Sequence, residues 1–376
     1  MADKWPIEWT DATWNPIVGC SIATAGCAHC YAMKMAARIE AMGGAPHYAG
    51  TTKKVNGSAV WTGKLALAPE RILTQPLRWK EPRRIFVNSM GDLFHENVPD
   101  QWIDQTFAVM AVTPHHTYQP LTKRADRARR YLSDPATKRR VYDIACSLVI
   151  ERQIEVVLIA PGTDERRAPF GPRVYLDQWP LPNVWLGVSA ERQQEADERI
   201  PELLATPAAI RFVSAEPLLG PINFGTLQAG IPTNAWLTWL DGLDWIIFGG
   251  ESGPNARPMH PAWARSIRDQ CQAAGVPFFF KQWGAWQIAE ATEETGAMRK
   301  YWRFPDGEEF HIVSDGHDIL LCEAQDSTTP KKLWRDYWAD GRGNLAKRPG
   351  KKAAGRRLDG VEHNGIPEVG GEVPAL

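Results

Sequence analysis

Short, predominantly apolar runs, RIFV, WLGV, IRFV, WIIF and PFFF, punctuate the chain, each closed by turn residues and most leading into a stretch of helical polar–apolar spacing. Strands apolar on both faces belong to parallel sheets covered by helices, whereas one-faced sheets alternate. The pattern therefore reads as strand-then-helix units. Thr13–Gly19 opens the first, followed by a cysteine-bearing loop and then AHCYAMKMAARIEAM, whose Ala, Met and Lys favour helix. Residues 83–90 predict a buried strand and 99–112 a helix with Pro99 at its first turn. Further strands are expected at 116–122, 183–189, 210–217, 243–253 and 276–284. Helices are expected at 123–132, 191–206 and 261–275, the last closed by Gly275.

About seven such units across residues 13–284 predict an α/β fold, a (β/α) TIM-like barrel that is complete or nearly complete and fills one domain, 1–284. Residues 151–182 break the rhythm and are expected to form an insertion, a small hairpin. Residues 285–376 lose the alternation and become rich in glycine and charge. They are expected to wrap the barrel as a C-terminal extension, with a basic tail at 346–357.

Lys and Arg number 43 against 44 Asp and Glu, so the net charge of −1 argues against a polycationic protein. With 44% hydrophobic and 23% charged residues, the 376-residue chain has a globular composition. The beginning carries early acids and no apolar core, unlike a signal peptide, and no apolar run approaches a membrane span. A cytoplasmic location and no membrane partner are expected. Seventeen tryptophans say that large flat side chains fill a core or line a cleft.

Three of the six cysteines lie within eleven residues, as Cys20-x6-Cys27-x2-Cys30 in GCSIATAGCAHCYA. The loop follows the first strand and precedes a helix, which places it at the C-terminal mouth where barrel enzymes keep their chemistry. Three thiolates on one loop can hold three irons of a [4Fe–4S] cluster and leave the fourth open to an exogenous amino and carboxylate group, as from S-adenosylmethionine. Tyr31, next to Cys30, is placed to pack against such a cluster. A structural zinc site completed by His29 or a distant residue is the alternative, and three unligated core thiols are a third. Cys146 and Cys271, in helical stretches, read as core thiols.

WNPIVGCSIATAGCAHCYA, FVNSMGDLFHENVP, LTKRADR, LGVSAE, RFVSAEPLLGPI, FGGESGPNARPM and GVPFFFKQWG together resemble the phage gene-product thirty-seven/sixty-eight family, over nearly the whole chain. That family is similar in turn to radical S-adenosylmethionine enzymes of the branch containing spore photoproduct lyase, with a longer first cysteine interval here. The resemblance implies an enzyme that cleaves S-adenosylmethionine reductively at a [4Fe–4S] cluster. The 5′-deoxyadenosyl radical so formed would abstract hydrogen from a substrate. A nucleotide or a base of DNA or RNA is the expected substrate class, with a flavodoxin- or ferredoxin-like electron donor.

Polar residues just past strand ends should face the mouth. By the resemblance, Ser89 and Asp92, with Asn88, would contact the methionine or ribose of the cofactor. Lys123 or Arg124 could pair with its carboxylate. Ser189 and Glu191 end another strand and are further cofactor candidates. Glu216, amid the apolar SAEPLLGP, is costly to bury unless it binds something and is the leading catalytic candidate beyond the cysteines. Gly249, Gly250 and Glu251 are similar to the turn that holds the cofactor amino group and would admit a ligand closely. Lys281, after three phenylalanines, would reach a phosphate or carboxylate. Residues 121–140 and 346–357 are basic and would supply a local nucleic-acid footprint if they share a face, with tryptophans to stack bases. The competing reading is a zinc-containing nucleic-acid-binding or accessory protein without radical chemistry.

Overall fold

A computed structural model describes residues 7–154, 179–225, 238–253, 255–293 and 351–367, together with the strands Val157–Ile159 and Arg173–Tyr175 and those between 300 and 348. Its centre is a seven-stranded sheet of β1 (Ala12–Trp14), β2 (Arg84–Val87), β3 (Thr117–Thr122), β4 (Trp185–Ser189), β5 (Ile210–Ala215), β6 (Trp245–Gly249) and β7 (Phe278–Gln282). The strands lie in chain order and every neighbouring pair is parallel.

Because strand side chains alternate between faces, each apolar run supplies two cores. Ile85, Val87, Tyr118, Leu186, Val188, Val213, Ile246 and Phe248 join the main core, to which the surrounding helices also contribute. These helices include α1 (Tyr31–Met42), α2 (Asp100–Ala111), α3 (Ala125–Ser133), α4 (Pro135–Arg152), α5 (Gln193–Leu204) and α6 (Pro261–Ala274). Their intervening neighbours Trp185, Phe212, Trp245, Ile247 and Phe279 gather with Trp9 into a separate cluster on the opposite face of the sheet. Trp9 meets the Phe86 ring edge-on at 5.0 Å and the Trp245 ring at 6.0 Å. Burying an aromatic of this size contributes about 1.5–3 kcal/mol. The tryptophans thus build the floor of the fold: Trp9, Trp14, Trp239 and Trp245 are all buried.

The expected complete or nearly complete TIM-like barrel is not what forms. The sheet is an open, curled half-barrel, with no pairing of β1 to β7. The reason lies at the edge of β7. Residues 363–365 run antiparallel along it, Phe280 N donating to His363 O at 3.0 Å and Gly365 N to Phe278 O at 3.0 Å. A strand edge whose amides and carbonyls are already engaged has none left for a closing strand. The Trp245 indole N–H fixes the same segment through Gly365 O at 2.7 Å.

The insertion is also different from the expectation. α4 runs to Arg152, started by Pro135 and by the Asp134 carboxylate, which accepts from Ala136 N at 2.9 Å. Val157–Ile159 and Arg173–Tyr175 then pair in parallel, which a hairpin cannot do; residues 160–172 and 176–178 of the insertion lie outside the described residues. Beyond residue 285, the chain forms a five-stranded antiparallel sheet, Glu290–Glu293 through Asp326–Lys332, and a three-stranded sheet including Leu345–Lys347. Within 346–357, Ala346, Lys347 and Ala354 are buried, and Arg357 O accepts from the Trp283 indole at 2.8 Å. This basic stretch is docked through these residues. Among the described residues no helix is long and apolar enough to cross a membrane.

Candidate metal centre and cavity

Past β1 and the short strand Ile17–Val18, the cysteine loop begins at Gly19, whose φ of +92° and whose closeness to Lys64 O, 2.1 Å from where a Cβ would stand, admit only glycine. Cys27 N donates to Thr24 O at 3.0 Å and Cys30 N to Cys27 O at 3.2 Å, so the two later thiols belong to one tight turn. Cys30 is the N-cap of α1. All three cysteines, with Tyr31, line a cavity of about 510 Å³ at the C-terminal ends of the strands. Ser89, Asp92, Lys123, Ser189, Glu216, Gly250, Glu251 and Lys281 line the same cavity. Glu191 and Gly249 stand just behind its wall.

Several of the candidate ligands are engaged by the protein itself. The Glu191 carboxylate is fully buried and paired with Lys123 and, at 3.2 Å, with Arg199. It also accepts from Thr24 Oγ1 of the cysteine loop at 3.0 Å. Burial alone would raise its pKa, but Lys123 and Arg199 outweigh that and hold it below the ordinary range. Gly26 packs on it so closely that a Cβ would lie 2.2 Å from Oε1. Glu251 grips Arg257 twice, at 2.6 and 2.9 Å, and Arg257 reaches Ala25 O at 3.1 Å. Asp92 accepts from Thr122 Oγ1 at 2.6 Å, Lys123 N at 2.9 Å and Arg124 Nη1 at 3.3 Å. Glu191 and Glu251 therefore act as anchors of the cysteine loop, and Asp92 ties the end of β2 to the end of β3.

Of the two cations expected at this strand end, Lys123 pairs with Glu191, and Arg124 pairs with Asp92 and Glu96 while also reaching the cysteine loop. Its guanidinium donates to Cys20 Sγ at 3.7 Å, Ser21 Oγ at 2.9 Å and Ser21 O at 3.2 Å. Arg199 and Arg257 were missed altogether. Arg257 touches the loop across 232 positions of sequence, and no local pattern announces such a contact.

On the facing wall, Lys281 Nζ pairs with Glu216 Oε1 at 3.0 Å, and Ser214 Oγ donates to Oε2 at 3.2 Å. Burial would lower the Lys281 pKa, but Glu216 more than offsets this and keeps the ammonium charged. The glycines serve backbone approach rather than ligand approach: a Cβ on Gly250 would lie 2.1 Å from Trp283 O. Gly250→Ala is expected to lower unfolding free energy by about 1–3 kcal/mol through overpacking, read from the urea midpoint. An unchanged midpoint would show that the turn can shift.

The donor chemistry of the loop fits a thiophilic cation. Burial pushes the Cys20 thiol up to about 12, Asp92 adding to the rise and Arg124 opposing it. Burial also raises Cys30, against the pull of the Ala32 and Met33 amides. Buried thiolates need a positive partner in place of the proton, which a metal provides. Two buried polar atoms of cavity residues, Asn88 Nδ2 and Gln282 Oε1, have no hydrogen-bond partner. Among the described residues no three His, Cys, Asp or Glu side chains stand together closely enough to hold one metal ion. Convergence of the three sulfurs thus requires side-chain rotation.

The basic stretch 121–140 is largely neutralised. Arg127 pairs with Asp100, Arg129 with Glu202, and Arg130 with Asp126 at 3.0 Å. Arg139 pairs with Asp143 at 2.9 Å and Arg140 with Asp104 at 2.9 Å. The phosphate-binding face expected there consists mostly of internal ion pairs.

Fold and cavity together define an open parallel α/β half-barrel with a three-cysteine loop at the C-terminal ends of its strands. The family described as "Protein of unknown function (DUF5131)" matches residues 4–367, and the chain belongs to it. No curated protein and no solved structure matches the chain.

Proposed function

We propose that the chain is a radical S-adenosylmethionine enzyme whose Cys20, Cys27 and Cys30 hold a [4Fe–4S] cluster. The observation that carries this reading is the placing of three thiols from one loop against one cavity that, among the described residues, has no fourth cysteine in its wall. When bound, the cluster and cofactor would supply the 5′-deoxyadenosyl radical that abstracts hydrogen from substrate.

The residues of the chain do the rest. Glu191 and Glu251 fix the loop, through Thr24 and through Arg257. Arg124 places a positive charge on Cys20. Lys281 is the charged group positioned to meet a carboxylate or phosphate, with Glu216 holding it. The aromatic cluster around Trp9 and Phe86 keeps water from the floor of the cavity. Substrate is a nucleotide or a base of a nucleic acid, and a flavodoxin- or ferredoxin-like protein donates the electron. A reducing cytoplasm keeps the thiols available.

Anaerobic purification tests the reading. A brown protein with about four iron and four sulfide per chain is expected, releasing 5′-deoxyadenosine from S-adenosylmethionine on reduction. A colourless protein with one stoichiometric zinc would instead establish the zinc reading.

A further inference from the structure

A second cavity, of about 310 Å³, lies beside β1, an edge strand of the sheet. It is lined by Arg71, Arg78, Gln75, His47, Tyr48 and Asn15 among others, and among the described residues no Asp or Glu contributes to its wall. The guanidinium of Arg71 makes no hydrogen bond or ion pair among the described residues. Arg78 donates only to backbone carbonyls, Arg71 O at 2.6 Å and Thr74 O at 3.5 Å, which seats its positive charge beside Arg71. This contrasts with the arginines of α3 and α4, which are matched to carboxylates.

His47 lines the same space, and its Nδ1 is buried with no partner. Two guanidiniums, an imidazole and an amide with no opposing carboxylate form a donor-rich pocket for a compact anion with several acceptor oxygens. Phosphate matches the planar fork of arginine. A volume some ten times that of one water, about 30 Å³, leaves room for the group that carries the phosphate.

The position of the cavity says what carries it. Asn15 lines this cavity, and its Oδ1 accepts from Ser89 Oγ at 3.1 Å and Met90 N at 2.9 Å. Ser89 lines the cysteine cavity. The two spaces therefore share one wall, a single pair of side chains thick. We propose that the second cavity binds the phosphate of a nucleotide, free or within a strand. The site lies apart from the cysteines and its anion chemistry stands without the cluster, while the choice of a nucleotide rests on the substrate reading above.

Calorimetric titration of the full chain at fixed ionic strength, with inorganic phosphate, adenosine 5′-monophosphate and a single-stranded thymidine oligonucleotide, tests it. Saturable binding is expected, weakened about tenfold to a hundredfold by Arg71→Ala and less by Arg71→Lys, which keeps charge but loses the fork. Arg71 is exposed and unpaired, so the variant should keep the unfolding midpoint of the natural chain. Competition by the oligonucleotide against phosphate would assign the source to a nucleic-acid backbone, and competition by the mononucleotide alone to a free nucleotide; either supports the site. Absence of saturable binding by all three probes, or affinity unchanged in Arg71→Ala, overturns it.

Discussion

Cys27→Ala should leave the anaerobically purified protein nearly free of iron. Cys27 is the middle cysteine of the loop and shares a hydrogen-bonded turn with Cys30. Losing it leaves a cluster two thiolates from this loop, half the four that commonly hold an iron–sulfur cluster. Iron should fall from about four per chain to well below one, with loss of the brown colour. The fold has little reason to follow. Cys27 sits in a short turn outside the sheet and its core, so the urea midpoint of the metal-free protein should barely move. Full iron retention with normal colour in this variant would remove Cys27 from the ligand set.

Glu191→Ala should be the most destabilising single change at the site. The carboxylate is buried between Lys123 and Arg199, and its removal strands two cations in the interior. Breaking a buried pair from one side costs about 3–5 kcal/mol. Thr24 and Gly26 lose their support at the same stroke, so iron loading should fall with stability. The pH dependence has a definite sign. Because the folded carboxyl sits below its ordinary 4.5, its contribution is complete above that value and disappears as pH drops through the lowered one. Buried His116 acts in the same direction. Burial pushes it from 6.5 down to about 4, so the unfolded chain takes up its proton first and stability declines as pH falls across that window. Urea midpoints should therefore decrease from pH 7 to pH 4 through His116 and fall further below pH 4.5 through Glu191; a flat profile in the first range would contradict the His116 assignment, and one in the second the Glu191 assignment.

The strands were legible because parallel-sheet burial writes itself into contiguous letters. RIFV, IRFV, WIIF and PFFF all lie in the central sheet. The place of the cysteine loop, at the C-terminal ends of the strands, followed from the same reading. Closure was not legible. Whether β7 meets β1 depends on residues 363–365, some eighty positions later, and their GVEHNGI context carries no strand signature. The pairing of charges was not legible for a related reason. Composition shows that Arg127, Arg129 and Arg140 are basic but not that Asp100, Glu202 and Asp104 lie opposite them. The cavity was recovered as a set of residues, since strand ends sort themselves by the alternation of side chains. Individual roles were not, because Glu191 and Asp92 are defined by long-range partners and Glu251 acts through Arg257 on the distant Ala25.

The antiparallel strap on β7 also bears on synthesis. During translation the seven parallel strands emerge well before residues 363–365, and until those arrive the last strand presents bare amides and carbonyls to the cell. Such an edge is a template for intermolecular pairing. A chain halted before residue 363 should therefore collect in the insoluble fraction even though every strand of the sheet is present.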